Sequence, residues 1–384
     1  MTVNRIGRKY FLTKLVAKRI ETWMRRKDGQ NNSKFHSFSS LLLKWNKEKN
    51  RRQMPWKGEK DPYKIWLSEI ILQQTRVEQG LKYYEKFITA FPDVHQLANA
   101  SERSIYKCWE GLGYYTRCKN LILTAREVSK NLKGKFPDNY DDIKKLKGIG
   151  PYTAAAIASF AFNEHRAVVD GNVFRVLARI FGIEEPIDST EGKKAFNTLA
   201  GKLLDKKDPA LYNQAIMDFG AVVCKPVPMC RQCPFKQNCE AFLKDKIFSL
   251  PVKGKKILIK KRWFNYVLLE YKEKLAVRQR HEKDIWHNLF EFLLVESGKE
   301  FGEKEIVKEV KKKKWVGANS YEIEYVSPVF KQQLSHQLIK GRFTKLKLYR
   351  KPELSSDVLW IRKKELNKYA FPMFINQHLR KMDV

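Results

Sequence analysis

Apolar and polar residues between about Phe35 and Phe242 follow a helical pattern, broken into blocks by Gly, Pro and Asn. Asp61-Pro62 marks one helix start, an N-cap carboxylate followed by proline at the first helical position. Phe91-Pro92-Asp93 and Phe136-Pro137-Asp138 mark further breaks. One stretch, Trp66-Leu67-Ser68-Glu69-Ile70-Ile71-Leu72, is largely apolar with a single carboxylate in its middle. Around Leu250-Pro251 the character changes. Lysine-rich sequence leads into Trp263-Phe264-Asn265-Tyr266-Val267-Leu268-Leu269, a β-like run, and short strands and turns follow to Val384. The pattern predicts a mainly α domain over 34–245, a linker over 246–261 and an α+β domain over 262–384, with no internal repeat. No apolar run approaches the ~20 residues of a spanning helix.

Composition narrows the function. A chain of 384 residues with 43% apolar content can build two domains plus tails. Its net charge of +34 and pI near 9.8 far exceed what solubility needs and suit a polyanion, through release of counterions from phosphates. Runs such as Lys311-Lys312-Lys313-Lys314 also reflect a general lysine bias, so charge supports nucleic acid without proving it. Residues 1–33 read as a basic tail: they contain Glu21 and Asp28 and lack the continuous apolar core of a signal peptide.

Four of the six cysteines crowd into sixteen residues, as Cys224-x5-Cys230-x2-Cys233-x5-Cys239. Without a secretory signal this predicts a metal site in a reducing compartment, not disulfides. Four thiolates suit either zinc or an iron–sulfur cluster, and spacing alone does not choose. Cys108 and Cys118 read as ordinary core or free thiols.

Leu146-Lys147-Gly148-Ile149-Gly150-Pro151-Tyr152-Thr153 runs into the helical string Ala154-Ala155-Ala156-Ile157-Ala158. A Gly-x-Gly turn at Gly148 and Gly150 opens a helix with exposed backbone N–H groups, where a phosphate can dock. Val169-Asp170-Gly171-Asn172 follows some twenty residues later, and Asp170 is placed to cap the next helix. The arrangement resembles the helix-hairpin-helix and downstream aspartate of the endonuclease III superfamily of DNA glycosylases. That resemblance implies that the cysteines hold one [4Fe–4S] cluster, for which a redox-inert role in ordering a basic loop is expected. Their first spacing is one residue shorter than the superfamily's usual x6, a tighter path that Pro226 and Pro228 allow.

Tyr152 stands where superfamily members that also cleave the backbone carry a Schiff-base lysine. A phenol cannot perform that step, which implies an enzyme that stops after base removal. Lys147 precedes the Gly-x-Gly turn and would need a different geometry to serve instead. The string Trp66 to Thr75, with Arg52-x-x-Pro55-Trp56, Gly111-Leu112-Gly113-Tyr114-Tyr115 and Asn213-Gln214-Ala215-x-Met217-Asp218-x-Gly220-Ala221, resembles the MutY family. These are adenine DNA glycosylases acting on adenine opposite 8-oxoguanine or guanine. The resemblance implies that Glu69 protonates adenine at N7, its pKa raised by apolar surroundings. Asp170 would balance the oxocarbenium-like sugar, with Tyr152 and Asn172 in support. Gln74, Thr75, Leu112 and Tyr114 would meet the DNA around the opposite purine, and Arg52, Trp56 and Gln214 would shape the adenine pocket.

Asp284-Ile285-Trp286-His287-Asn288-Leu289-Phe290-Glu291-Phe292 resembles the aromatic segment of the Nudix-like C-terminal domain of this family. The magnesium-binding Arg-Glu-x-x-Glu-Glu string is missing, so a recognition fold without hydrolase chemistry is expected. Leu334-Ser335-His336 resembles the family's Phe-Ser-His loop, which reads 8-oxoguanine through Ser335 and His336 while leucine replaces the aromatic wedge. The expected partner is duplex DNA with A·8-oxoguanine or A·G mispairs, bound by a monomer. The expected compartment is the bacterial cytoplasm at the nucleoid, or the nucleus or mitochondrion of a eukaryote. Three rivals are a bifunctional lyase, a G·T thymine glycosylase and a silent zinc-knot scaffold. They are opposed in turn by Tyr152, by Leu334-Ser335-His336, and by the joint presence of Glu69, Asp170 and Tyr152.

Overall fold

The computed structural model describes residues 35–254 and 258–382, so the expected basic tail lies outside the described residues. The helices in chain order are α1 (Phe35–Lys49), α2 (Pro62–Leu72), α3 (Val77–Ala90), α4 (Val94–Asn99), α5 (Glu102–Trp109) and α6 (Thr116–Lys130). Next come α7 (Tyr140–Ile143), α8 (Pro151–Phe162), α9 (Gly171–Phe181), α10 (Thr190–Leu203), α11 (Pro209–Val222) and the one-turn α12 (Glu240–Leu243). The C-terminal part runs β1 (Lys260–Tyr271), β2 (Lys274–Gln279), β3 (Phe290–Glu291), β4 (Leu293–Ser297), α13 (Glu303–Lys312) and β5 (Tyr321–Val326). It ends with β6 (Phe330–Gln333), β7 (Gln337–Leu348), β8 (Val358–Arg362) and α14 (Met373–Leu379). No helix among the described residues is long and apolar enough to cross a membrane.

The chain forms two compact units. The first takes α1, α2, the second half of α6, and α7 to α12. Local chemistry sets its helix starts: the Asp61 carboxylate accepts from Tyr63 N–H at 2.9 Å with Pro62 behind it, and Asp208 with Pro209 repeats the device at α11. Phe38, Leu42 and Trp45 of α1 pack with Phe181, Phe196 and Phe219, and Phe38 stacks on Phe235 of the cysteine loop at 4.8 Å. α2 is apolar nearly all round, and from Tyr63 to Ile71 every residue but Lys64 is buried. Ser68 and Glu69 are thereby carried into the interior, while Lys64 stays at the surface beside Glu59.

The second unit joins α3, α5 and the start of α6 to a mixed eight-stranded sheet. Its central path is β3-β2-β1-β7-β5, with β1 and β7 parallel from Lys260↔Gln337 to Glu270↔Lys347 and the other pairs antiparallel. The two-residue period of β1 sorts its side chains. Val267 and Leu269 face Ile306 and Val310 of α13, while Phe264 and Tyr266 meet the aromatic set of Trp286, Phe343 and Phe374. The sheet is thus covered by a helix on each face.

Candidate active site

α2 and α8 pack side by side in the first unit, with Gln73 Nε2 donating to Thr153 Oγ1 at 3.2 Å. Glu69 sits on α2 with only 8% of its surface exposed. It shares a hydrogen bond with Tyr152, in the first turn of α8. Burial pushes the Glu69 carboxyl up to about 7; the Tyr152 hydrogen bond opposes the rise and the negative charge of Asp170 adds to it. The phenol of Tyr152 is pushed well above its ordinary value by burial, then by Glu69 and Asp170, so it is a neutral hydroxyl at any working pH. Lys147 is exposed, its carbonyl accepting from Thr124 Oγ1 at 2.6 Å.

The turn before α8 needs its first glycine. Gly148 has φ +76°, left-handed territory that a β-carbon would strain. Gly150 is the N-cap of α8 and makes no side-chain cap bond, and no neighbouring atom lies within 4 Å of where its β-carbon would be. Gly150 itself is exposed, so the turn into α8 is open to an approaching anion.

Asp170 caps α9 as its local sequence predicts, Oδ1 accepting from Val173 N–H at 2.7 Å. Its Oδ2 accepts from Asn172 Nδ2 at 2.8 Å, and Asn172 Oδ1 in turn accepts from Arg175 at 2.7 Å. Burial raises the Asp170 pKa, opposed by these hydrogen bonds and by the charge of Arg175. Arg175 continues to the carbonyls of Cys224 and Gly220, each at 2.8 Å. Sequence reasoning missed Arg175 because its partners lie 45 and 49 residues away.

Arg52 and Gln214 converge on one buried carboxylate, Asp218, at 2.8 and 3.0 Å. Asn50 and Lys57 also donate to it, at 2.8 and 3.0 Å, and Lys57 holds the Arg52 carbonyl at 2.9 Å. Four donors around one carboxylate satisfy it fully and fix the loop that carries Arg52 and the half-buried Trp56. Asp218 stands in the segment from Asn213 to Ala221, yet only the fold reveals it as the hub.

Cys224, Cys230, Cys233 and Cys239 line one cavity, walled also by Arg179 and Phe219. Arg179 secures the loop by donating to the Lys225 and Pro226 carbonyls at 2.6 and 2.9 Å. Burial pushes Cys233 up to about 12 and Cys239 up to about 11, so a bound cation is needed to hold them as thiolates. Among the described residues no group of three or more His, Cys, Asp or Glu side chains converges tightly enough for a single metal ion. A mononuclear zinc would need four sulfurs each about 2.3 Å from one centre, whereas a cubane cluster gives each thiolate its own iron. Four thiols lining one cavity are a donor set that such a cluster can use.

In the second unit, Tyr114 stands at φ +47° and is 46% exposed, its hydroxyl hydrogen-bonded to Ser335 Oγ. Ser335 and His336 form the exposed tip of the turn between β6 and β7, closed by Leu334 N–H to the Gln337 carbonyl at 2.7 Å. Thr75 is half-buried, and Leu112 is buried, so Leu112 does not offer its side chain to solvent. Gln74, at the edge of the first unit, is exposed with φ +58° just past the end of α2. On α13, Glu305 is spent on its own helix, accepting from Gly302 N–H at 2.6 Å.

Comparison with known proteins accords with this architecture. Residues 67–202 match the HhH-GPD superfamily of base excision DNA repair proteins, and residues 265–381 match the NUDIX domain. The chain is 36% identical over 307 residues to an adenine DNA glycosylase of Buchnera aphidicola subsp. Baizongia pistaciae, covering 78% of this chain and 83% of that one. It is 37% identical over 258 residues to that of Buchnera aphidicola subsp. Schizaphis graminum, covering 66% and 74%. Among solved structures a thermostable thymine-DNA glycosylase superposes with TM-score 0.51 at 31% identity, covering 55% of this chain and 97% of that one. With both domain matches in this order and relatives covered over most of their length, the chain belongs to the adenine DNA glycosylase family, enzymes of base excision repair that hydrolyse N-glycosidic bonds.

Proposed function

We propose that this enzyme removes adenine mispaired with 8-oxoguanine or guanine and stops there, leaving the sugar–phosphate backbone intact. One observation carries the reading: a buried carboxyl, Glu69, held near neutrality by burial, hydrogen-bonded to Tyr152 and within electrostatic reach of Asp170. Adenine leaves poorly as an anion, so a carboxyl still protonated near pH 7 can deliver a proton to N7 as the bond breaks. The sugar that remains is oxocarbenium-like, and Asp170, held in place by Val173 N–H and Asn172, supplies the opposing charge. The deprotonated Glu69 can then polarise the attacking water. Tyr152 keeps the first carboxyl oriented, and having no amine it offers no route to a Schiff base.

The base must first leave the stack, at a cost of a few kcal/mol that is least at a mispair. The Gly148–Gly150 turn and α8 N-terminus suit a backbone phosphate, and Arg52, Trp56 and Gln214 suit the extruded adenine. On the opposite strand, Gln74, Thr75 and Tyr114 suit the intrahelical purine, and Ser335 and His336 the edge that distinguishes 8-oxoguanine from guanine. Cys224, Cys230, Cys233 and Cys239 would hold a [4Fe–4S] cluster, which when bound orders the basic loop; no step of the hydrolysis passes through it. A monomer suffices for every role assigned.

Single-turnover assays on A·8-oxoguanine, A·G and G·T duplexes, developed with and without alkali, test this reading. Strand breaks that need alkali and form only on the adenine duplexes are expected. Breaks without alkali would defeat the assignment of Tyr152, and release of thymine from G·T would defeat the substrate.

A further inference from the structure

Glu110 is the C-cap residue of α5 and opens the loop Gly111-Leu112-Gly113-Tyr114. Its Oε1 accepts from the backbone N–H of Phe371 at 2.8 Å and from Asn376 Nδ2 at 2.9 Å, while Oε2 takes a hydrogen bond from Lys107 Nζ. Lys107 reaches on to the Tyr369 carbonyl at 3.1 Å, and the Glu110 carbonyl accepts from Tyr83 at 2.6 Å. A half-buried carboxylate with three donors makes charge-assisted bonds, the strong kind. At the next residue, Gly111 has φ +91°, and a β-carbon there would lie 2.7 Å from Tyr83 Oη and 3.4 Å from Met373 Cε. The start of the Tyr114 loop is therefore clamped from both sides.

The far end of that clamp leads to the recognition turn. Phe371 and Asn376 flank Phe374 on α14, whose ring meets Phe343 of β7 at 5.7 Å and Phe330 of β6 at 6.3 Å. Those two strands carry Ser335 and His336 at their tip, and Ser335 returns to Tyr114 through its hydroxyl. The path closes into a ring within one compact unit.

We infer that Glu110 is a positioning residue that sets the spacing between the Tyr114 loop and the Ser335–His336 turn, and through it the discrimination of 8-oxoguanine from guanine. This rests on the reading that Ser335 and His336 face the opposite purine. The test measures single-turnover excision from A·8-oxoguanine and from A·G by the full chain and its Glu110→Ala, Glu110→Gln and Ser335→Ala variants. Glu110→Ala is expected to lower the ratio of the two rates about tenfold while the A·G rate holds within about twofold. Glu110→Gln, whose amide oxygen still accepts from Phe371 N–H, is expected to keep most of the ratio.

Equal falls on both substrates, or an unchanged ratio in Glu110→Ala while Ser335→Ala lowers it, would overturn the inference and leave the recognition turn standing. An unchanged ratio in Ser335→Ala would remove the reading itself, and the inference with it. Should Glu110→Ala not fold, Asn376→Ala removes one donor only: a fall in the ratio of about threefold supports the inference and no fall overturns it.

Discussion

Glu69 concentrates the chemistry in one side chain, and its environment fixes both what it can do and what it costs. Its pKa stands near 7 in the folded protein and 4.5 without burial. The carboxyl adds no instability below pH 4.5, and stability is lost as pH rises from there through about 7, by of order 3 kcal/mol in all. Two results should follow. Single-turnover excision should decline as pH rises through about 7, because the proton to be delivered is then gone. Glu69→Gln should abolish excision yet be the more stable protein above pH 7, as urea unfolding at pH 6 and 8 would show. A variant that is inactive but no more stable at pH 8 would mean that the carboxyl ionises freely. Such an exchange of stability for activity is expected where a charge is kept in an apolar place.

Helices act as units through close approach. Gly220 on α11 faces the first turn of α9, and a β-carbon there would lie 2.7 Å from the Asn172 Cβ and 3.1 Å from its carbonyl oxygen. Asn172 holds Asp170, so α9 cannot retreat without moving that carboxylate. Gly220→Ala should cost about 1–3 kcal/mol of stability and slow excision more than it weakens DNA binding. Denaturant unfolding beside single-turnover and anisotropy measurements would check this, and an unchanged excision rate would show that the two helices can part freely. The same packing joins the site to the cysteine loop, since Arg175 bonds Asn172 at one end and the Cys224 carbonyl at the other.

At the scale of the whole molecule the charge of +34 dominates. Binding that neutralises about six or more phosphates should lose affinity about a thousandfold between roughly 50 and 200 mM salt. Fluorescence anisotropy over that range should give a log–log slope steeper than about −5. A slope nearer −1 would mean that the lysines are mostly solvated surface, with binding carried by the base contacts alone. The same measurement separates general affinity from specificity, because phosphate contacts weaken alike on matched and mispaired duplexes.

Much of this was legible along the chain. Helix starts at Asp61-Pro62 and Asp170, the glycine demanded by the turn at Gly148, and the change to strands past Leu250-Pro251 all follow from local rules that a few neighbouring residues satisfy. The apolar neighbours of Glu69 in sequence anticipated its burial, because a carboxylate set among Trp66, Leu67, Ile70 and Ile71 shares the buried side of the helix with them. Other features depend on partners remote in sequence. Asp218 collects Asn50, Arg52 and Lys57 across 161 to 168 residues, and Glu110 meets Phe371 across 261. The burial of Leu112 and the pairing of Tyr114 with Ser335 are likewise set by which elements share a compact unit. Propensity and capping are decided within a turn or two of chain, so sequence alone determined the elements and their chemistry. Hydrogen bonds and desolvation depend on whatever the fold brings within a few ångströms, so only the tertiary structure decided which carboxylates are buried, shared and held.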